Sequence, residues 1–112
     1  MDTGRALVTG ATGFIGSHLV PALVAGGWSV RACGRRARPA DLDPEVDYRR
    51  ADLAADDLGA LFGGVTHLFH LAGASSSTSS QEEMERSNVV GTRRLLEAAA
   101  PGQLERAVHM SS

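Results

Sequence analysis

Three glycines, Gly10, Gly13 and Gly16, stand at G-x-x-G-x-x-G spacing between two apolar segments, and no other stretch narrows the fold as much. Arg5-Ala6-Leu7-Val8 before them is a short apolar run, and Ile15, Leu19, Leu23 and Val24 after them recur at helical spacing. The pattern reads as strand, tight turn, helix. Gly10 can take a backbone conformation closed to residues with a Cβ. Gly13 leaves the main chain open to a close approach, and Gly16 lets the helix lie near the sheet. The helix then starts with free N–H groups and a partial positive charge, which suits a diphosphate. Three glycines by themselves are equally well a simple turn; the strand before and the helix after are what match a dinucleotide-binding fingerprint. No G-K-[ST] follows, which disfavours a P-loop.

The chain has 112 residues, enough for one domain. Its net charge of −2 gives no hint of a nucleic-acid or membrane-surface partner. No apolar run approaches the roughly 20 residues of a membrane span. The N-terminus leads straight into the first strand, so no secretory leader is expected. Cys33 is single and sits in an apolar run, so a buried thiol in a reducing, cytoplasmic setting is expected rather than a disulfide or a metal ligand. All 11 basic residues are Arg, Lys is absent, and the one tyrosine is Tyr48.

In chain order, strands are expected at about 5–9, 28–33, 46–50, 66–71 and 106–110. Helices are expected at about 14–25, 55–62 and 81–99. Pro21 should loosen or kink the first helix, and Gly26-Gly27 should stop it. Gly34 to Pro44 reads as a loop, basic at Arg35, Arg36 and Arg38 and acidic at Asp41, Asp43 and Glu45. It is either a solvated loop or a ribose contact. At the end of the second strand of a dinucleotide fold an acid accepts from the 2′-hydroxyl of NAD, whereas Arg suits a 2′-phosphate. No acid occurs at 33–36, which favours NADP over NAD. Asp52 is a helix start or an acceptor for the adenine amino group. His67 and His70 are three apart in a strand and face opposite sides, so no metal pair is expected. Residues 72–80, AGASSSTSS, are a solvated loop, a small-residue wall that lets main chain approach a cofactor, or both. Ser80 with Glu83 reads as a capping box, and Met84, Val89, Leu95 and Leu96 as the apolar contacts of the helix that follows.

Five stretches in order resemble the extended short-chain dehydrogenase/reductase family, also called the NAD-dependent epimerase/dehydratase family. They are TGATGFIG at 9–16, Asp52-Leu53, His70-Leu71-Ala72-Gly73, Asn88-Val89-Val90-Gly91-Thr92, and Met110-Ser111-Ser112. The resemblance covers nearly the whole chain. It implies an α/β Rossmann-type, doubly wound parallel sheet in order 3-2-1-4-5, ending after strand five. It implies that Gly10, Thr12, Gly13, Phe14, Ile15 and Gly16 surround the pyrophosphate, with the N–H groups of Phe14 and Ile15 holding it. Arg35 and Arg36 stand at the ribose position. Asp52 and Leu53 would contact adenine. Leu71, Ala72, Gly73, Ala74 and Ser75 would line the cofactor, braced by Asn88, and Ser112 would be the catalytic hydroxyl that bonds the reacting substrate oxygen. The family's Tyr-x-x-x-Lys pair has no counterpart, because Tyr48 lies in the third strand and there is no Lys. The expectation is therefore the cofactor-binding part of an oxidoreductase, epimerase, dehydratase or reductase acting on a sugar nucleotide or other carbonyl, and inactive alone. A small-molecule substrate would bind only in a longer chain, and self-association is possible. The alternatives are a cofactor-binding module or sensor without chemistry, and a fragment without a function of its own.

Overall fold

A computed structural model describes residues 4–53, 55–71, 81–99 and 104–109, with the backbone alone for 81–88 and 109. The order is β1 (Arg5–Thr9), α1 (Phe14–Ala25), β2 (Ser29–Gly34), β3 (Asp47–Arg50), a 3₁₀ turn (Gly59–Phe62), β4 (His67–His70), α2 (Gln81–Ala98) and β5 (Arg106–His109). The five strands form one parallel sheet in the order β3-β2-β1-β4-β5, as the sequence implied. The chain walks outward from β1 to β3, then crosses back to place β4 on β1's other side. That reversal opens a crevice at the carboxyl ends of β1 and β4.

Burial on both faces explains the near-continuous apolar strands. On one face Ala6, Val8, Val30 and Ala32 pack against Val20 and Leu23 of α1. On the other Leu7, Cys33 and Leu68 pack with Leu58, Leu61, Phe62, Val65 and Leu95 of α2. Burial pushes the Cys33 thiol up to about 12, so it stays protonated and inert at neutral pH. Among the described residues no helix is long and apolar enough to cross a membrane.

α1 runs unbroken through Pro21 and ends at the glycine pair. Gly27 takes φ +89, Gly27 N–H returns to the Val24 carbonyl and Trp28 N–H to the Leu23 carbonyl. This Schellman closure keeps Trp28 out of β2, which starts one residue later than expected. The helix expected over 55–62 is absent, and only the 3₁₀ turn forms. The Asp57 carboxylate takes the Gly59 N–H, the donor that an α-helix would give to the Ala55 carbonyl. α2 also presents a different face from the one expected. Leu95 is fully buried, but Val89 is 63% and Leu96 54% exposed. Gly91, Leu95 and Ala98, at i, i+4 and i+7, turn inward instead. The capping pair Ser80–Glu83 and the Met84 side chain lie outside the described residues.

Candidate functional site: a dinucleotide crevice at the sheet's switch point

The site starts where β1 ends. Gly10 adopts φ +67, which turns the chain sharply out of the strand. The turn closes on itself through Gly13 N–H to the Gly10 carbonyl, 3.1 Å, and is tied to β2 through Ala11 N–H to the Cys33 carbonyl, 3.3 Å. The first helical bond of α1 is Ser17 N–H to the Gly13 carbonyl, 2.9 Å. The N–H groups of Phe14, Ile15 and Gly16 therefore precede the helical ladder, and no side chain caps them. Phe14 and Ile15 are 81% and 45% exposed, so these donors sit at an open surface with the positive end of the helix behind them.

The glycines divide the labour. A Cβ on Gly16 would lie 2.6 Å from the Ala11 carbonyl oxygen, so that position must be glycine for helix and turn to touch. A Cβ on Gly13 would meet only the Gly10 carbonyl oxygen, at 3.4 Å; nothing in the fold itself demands glycine there. An anion seated over the start of α1 would supply such a demand. A Cβ on Gly34 would lie 2.8 Å from the Tyr48 hydroxyl and 3.6 Å from Thr12 Oγ1, which places Thr12 beside the end of β2.

Arg35 and Arg36 leave β2 at that point, both exposed. Their backbone is held from β3: Arg50 Nε donates to the Arg35 carbonyl at 3.0 Å, and the Tyr48 hydroxyl donates to the Arg36 carbonyl at 2.7 Å. Burial raises the Tyr48 pKa, Cys33 adds to the rise and Arg50 opposes it, so Tyr48 serves as a neutral donor rather than an acid–base. Arg38 is diverted from the site, donating to the carbonyls of Val46 and Asp43. Beyond β3, Asp52 and Leu53 enter a turn closed by the N–H groups of Ala55 and Asp56 on the Asp52 carbonyl.

The far wall is β4. His70 is only 4% exposed and bonds through both ring nitrogens, Nδ1 to Thr9 Oγ1 at 2.7 Å and Nε2 to Thr92 Oγ1 at 2.8 Å. Leu71 N–H donates to the same Thr9 hydroxyl, 3.1 Å. His67 turns to the other face, where its ring meets Trp28 edge-on at 4.7 Å. The two histidines thus point apart, as strand geometry requires. Sequence reasoning did not single out Thr9 or Arg94. Their signal was positional: Thr9 shares the Leu7 face of β1, and Arg94 lies one turn past Gly91 on α2. Ala72 to Ser75, the Asn88 side chain and Ser112 lie outside the described residues.

The donors, the open space at Gly13 and the strand reversal all fit a dinucleotide. The comparisons with known proteins agree. A model of the NAD dependent epimerase/dehydratase family matches residues 6–112. A putative dihydroflavonol 4-reductase of Synechocystis sp. is 41% identical over 94% of this chain and 32% of its own length. A UDP-glucose 4-epimerase of Mycolicibacterium smegmatis is 38% identical over 96% of this chain and 38% of its own. Among solved structures, MoeE5 in complex with UDP-glucose and NAD is 39% identical, with a TM-score of 0.82 over 97% of this chain and 36% of that one. The chain spans about a third of the length of the curated relatives it matches.

Proposed function

Since the chain belongs to the NAD-dependent epimerase/dehydratase family, we propose that it is the cofactor-binding portion of an oxidoreductase acting on a sugar nucleotide or another carbonyl compound. The observation that carries this reading is the uncapped start of α1 behind a glycine turn at the switch point. The names of similar proteins, a reductase and an epimerase among them, support chemistry at a carbonyl or carbinol carbon. Phe14 and Ile15 N–H would hold the pyrophosphate. Asp52 and Leu53 would meet the adenine, Leu71 to Ser75 would line the far wall with Asn88 behind it, and Ser112 would bond the reacting oxygen. The nicotinamide, when bound, supplies or accepts hydride; the chain's own residues orient it.

Within this reading NADP is the preferred cofactor. The support is Arg35 and Arg36 at the end of β2, exposed and with their backbone fixed from β3, and no acid among 33–36. A guanidinium pairs with a 2′-phosphate through two N–H groups, and a carboxylate there would repel it. The solved neighbour MoeE5 is in complex with UDP-glucose and NAD; the NADP reading rests on this chain's own basic pair. The test is calorimetric titration of NADPH and NADH. Tighter NADPH binding, reversed in Arg35→Asp/Arg36→Asp, is expected; a clear preference for NADH overturns it. Trp28 is a poor reporter, since it lies at the amino-terminal edge of the sheet, opposite the crevice.

A non-catalytic NADP-binding module or sensor is the second reading. It is favoured by one observation: the hydroxyl of Tyr48 is taken up by the Arg36 carbonyl. Cofactor binding without turnover by the whole natural protein would select it.

A further inference from the structure

Arg94 of α2 reaches back to the turn after β3. Its Nη1 donates to the Leu53 carbonyl and its Nη2 to the Asp56 carbonyl at 2.7 Å. The two carbonyls bracket a turn that also carries its own short bonds, Asp52 N–H to Asp56 Oδ2 and the two N–H groups on the Asp52 carbonyl. The helix backbone and the Leu53 side chain approach closely at the same place: a Cβ on Gly91, one turn before Arg94, would lie 3.3 Å from Leu53 Cβ. A planar guanidinium with two donors side by side fixes both the distance and the tilt of such a pair of carbonyls, which an ammonium could not.

The location gives the contact its meaning. With the diphosphate on α1 and the ribose at the end of β2, the outer half of a dinucleotide lies over the segment leaving β3. That segment is the Asp52–Asp56 turn. We propose that Arg94 is a positioning residue for the adenine side of the crevice, acting through the Leu53 and Asp56 carbonyls. The proposal rests on the cofactor reading above. It assigns to α2 a role at the end of the cofactor remote from the reacting ring, exerted through the turn after β3.

The experiment compares two half-ligands and the whole cofactor on the 112-residue chain, by calorimetry or ligand-observed NMR: AMP, nicotinamide mononucleotide and NADPH. Arg94→Met should weaken AMP and NADPH about tenfold, equivalent to about 1.4 kcal/mol, and leave nicotinamide mononucleotide unchanged. Arg94→Lys, which keeps the charge and can satisfy one carbonyl, should fall between the two; it also serves as the test if Arg94→Met does not fold by circular dichroism. An equal loss of both half-ligands would mean that Arg94 merely holds the fold, and overturns the proposal. So does unchanged AMP binding, which would leave the cofactor reading intact. Failure of the unaltered chain to bind AMP, nicotinamide mononucleotide or NADPH would remove the cofactor reading itself, and this proposal with it.

Discussion

His70 Nε2 and Thr92 Oγ1 lie 2.8 Å apart, and this hydrogen bond fastens the end of β4 to α2. The other ring nitrogen meets Thr9 Oγ1 at 2.7 Å, and the Thr9 hydroxyl also receives Leu71 N–H. Three segments, the ends of β1 and β4 and the middle of α2, thus share one imidazole. Removing it takes one partner from each of two hydroxyls, each at a cost of about 1–3 kcal/mol where no water reaches them. His70→Ala should therefore destabilise the fold by about 2–4 kcal/mol. His70→Asn, which can keep one of the bonds, should cost less. Urea unfolding of both variants checks the order.

Gly13 and Gly16 should respond differently to the same substitution. At Gly13 the backbone is extended, φ −78 and ψ −179, and a Cβ has room. Gly13→Val should keep the fold and lose cofactor, because the branched side chain occupies the space over the α1 N-terminus. At Gly16 a Cβ would sit 2.6 Å from Ala11 backbone, so Gly16→Val should lose both. Circular dichroism with calorimetric titration separates the cases. A folded Gly13→Val that binds like the parent reduces the motif to a turn.

Asp47 ties the edge strand to a buried cation. Arg31, 7% exposed at its side chain, donates through Nε to Asp47 Oδ2 at 3.0 Å and through Nη1 to the Leu61 and Gly63 carbonyls. The Arg49 side chain, bonded to Oδ1, is the largest cause of the lowered Asp47 pKa; partial burial opposes it and Arg31 adds to the lowering. A depressed carboxylate contributes stability above its ordinary value of 3.8 and loses it as pH falls through the lower folded value. Asp47 is 44% exposed and Arg31 keeps its two carbonyls, so the effect is modest. Asp47→Asn should cost about 1 kcal/mol at pH 7. The gap between parent and variant should close below pH of about 4. Paired melts across pH 3 to 7 read it.

The sequence disclosed the features that depend on local rules. Gly10, Gly13 and Gly16 marked the turn because backbone sterics and helix-end donors act within a few residues. The boundaries of β1 and α1 followed from the same signals. The parallel order came from the family resemblance, and residues 55–62 show where local reading fails. Their apolar Leu58, Leu61 and Phe62 do bury, but Asp57 captures the Gly59 N–H, a donor that a helix needs. On α2 the apolar stripe misled, because Val89 and Leu96 are exposed and the inward face is built on Gly91 and Leu95. Contacts between distant segments, His70 with Thr92 and Arg94 with Leu53, carry no sequence period at all. They exist only once the sheet order brings β4, α2 and the β3 turn together.

The two edges of the sheet invite different fates. β3 carries Asp47, Arg49 and Arg50, charges that discourage edge pairing. On β5 the exposed residues include Ala107 and Val108, and no described strand pairs its outer edge. With Val89 and Leu96 also exposed, the 112-residue chain should self-associate or melt early. Gel filtration and thermal melting decide; a monomer with a sharp, high transition counts against it.

Chemistry is the last expectation. The 112-residue chain should bind cofactor without turning it over. General acid–base help is worth about 10²–10⁴-fold; the His109 side chain lies outside the described residues, and the described candidates Tyr48, His67 and His70 are each occupied. The Tyr48 hydroxyl is spent on the Arg36 carbonyl, and burial holds it protonated. His70, the histidine closest to the crevice by sequence, is 4% exposed and bonded at both nitrogens, so it has no proton to offer a substrate without breaking the Thr9–Thr92 bridge. His67 faces the opposite side of the sheet against Trp28. Ser112 offers a hydroxyl, which is a poor proton source without an activating neighbour. The measurement is NADPH oxidation with a panel of keto-sugars and simple carbonyls, using homogeneous protein. No turnover is expected. Turnover that persists through purification and disappears in His70→Ala, with the variant still folded, would make His70 the acid and overturn the structural role assigned to it.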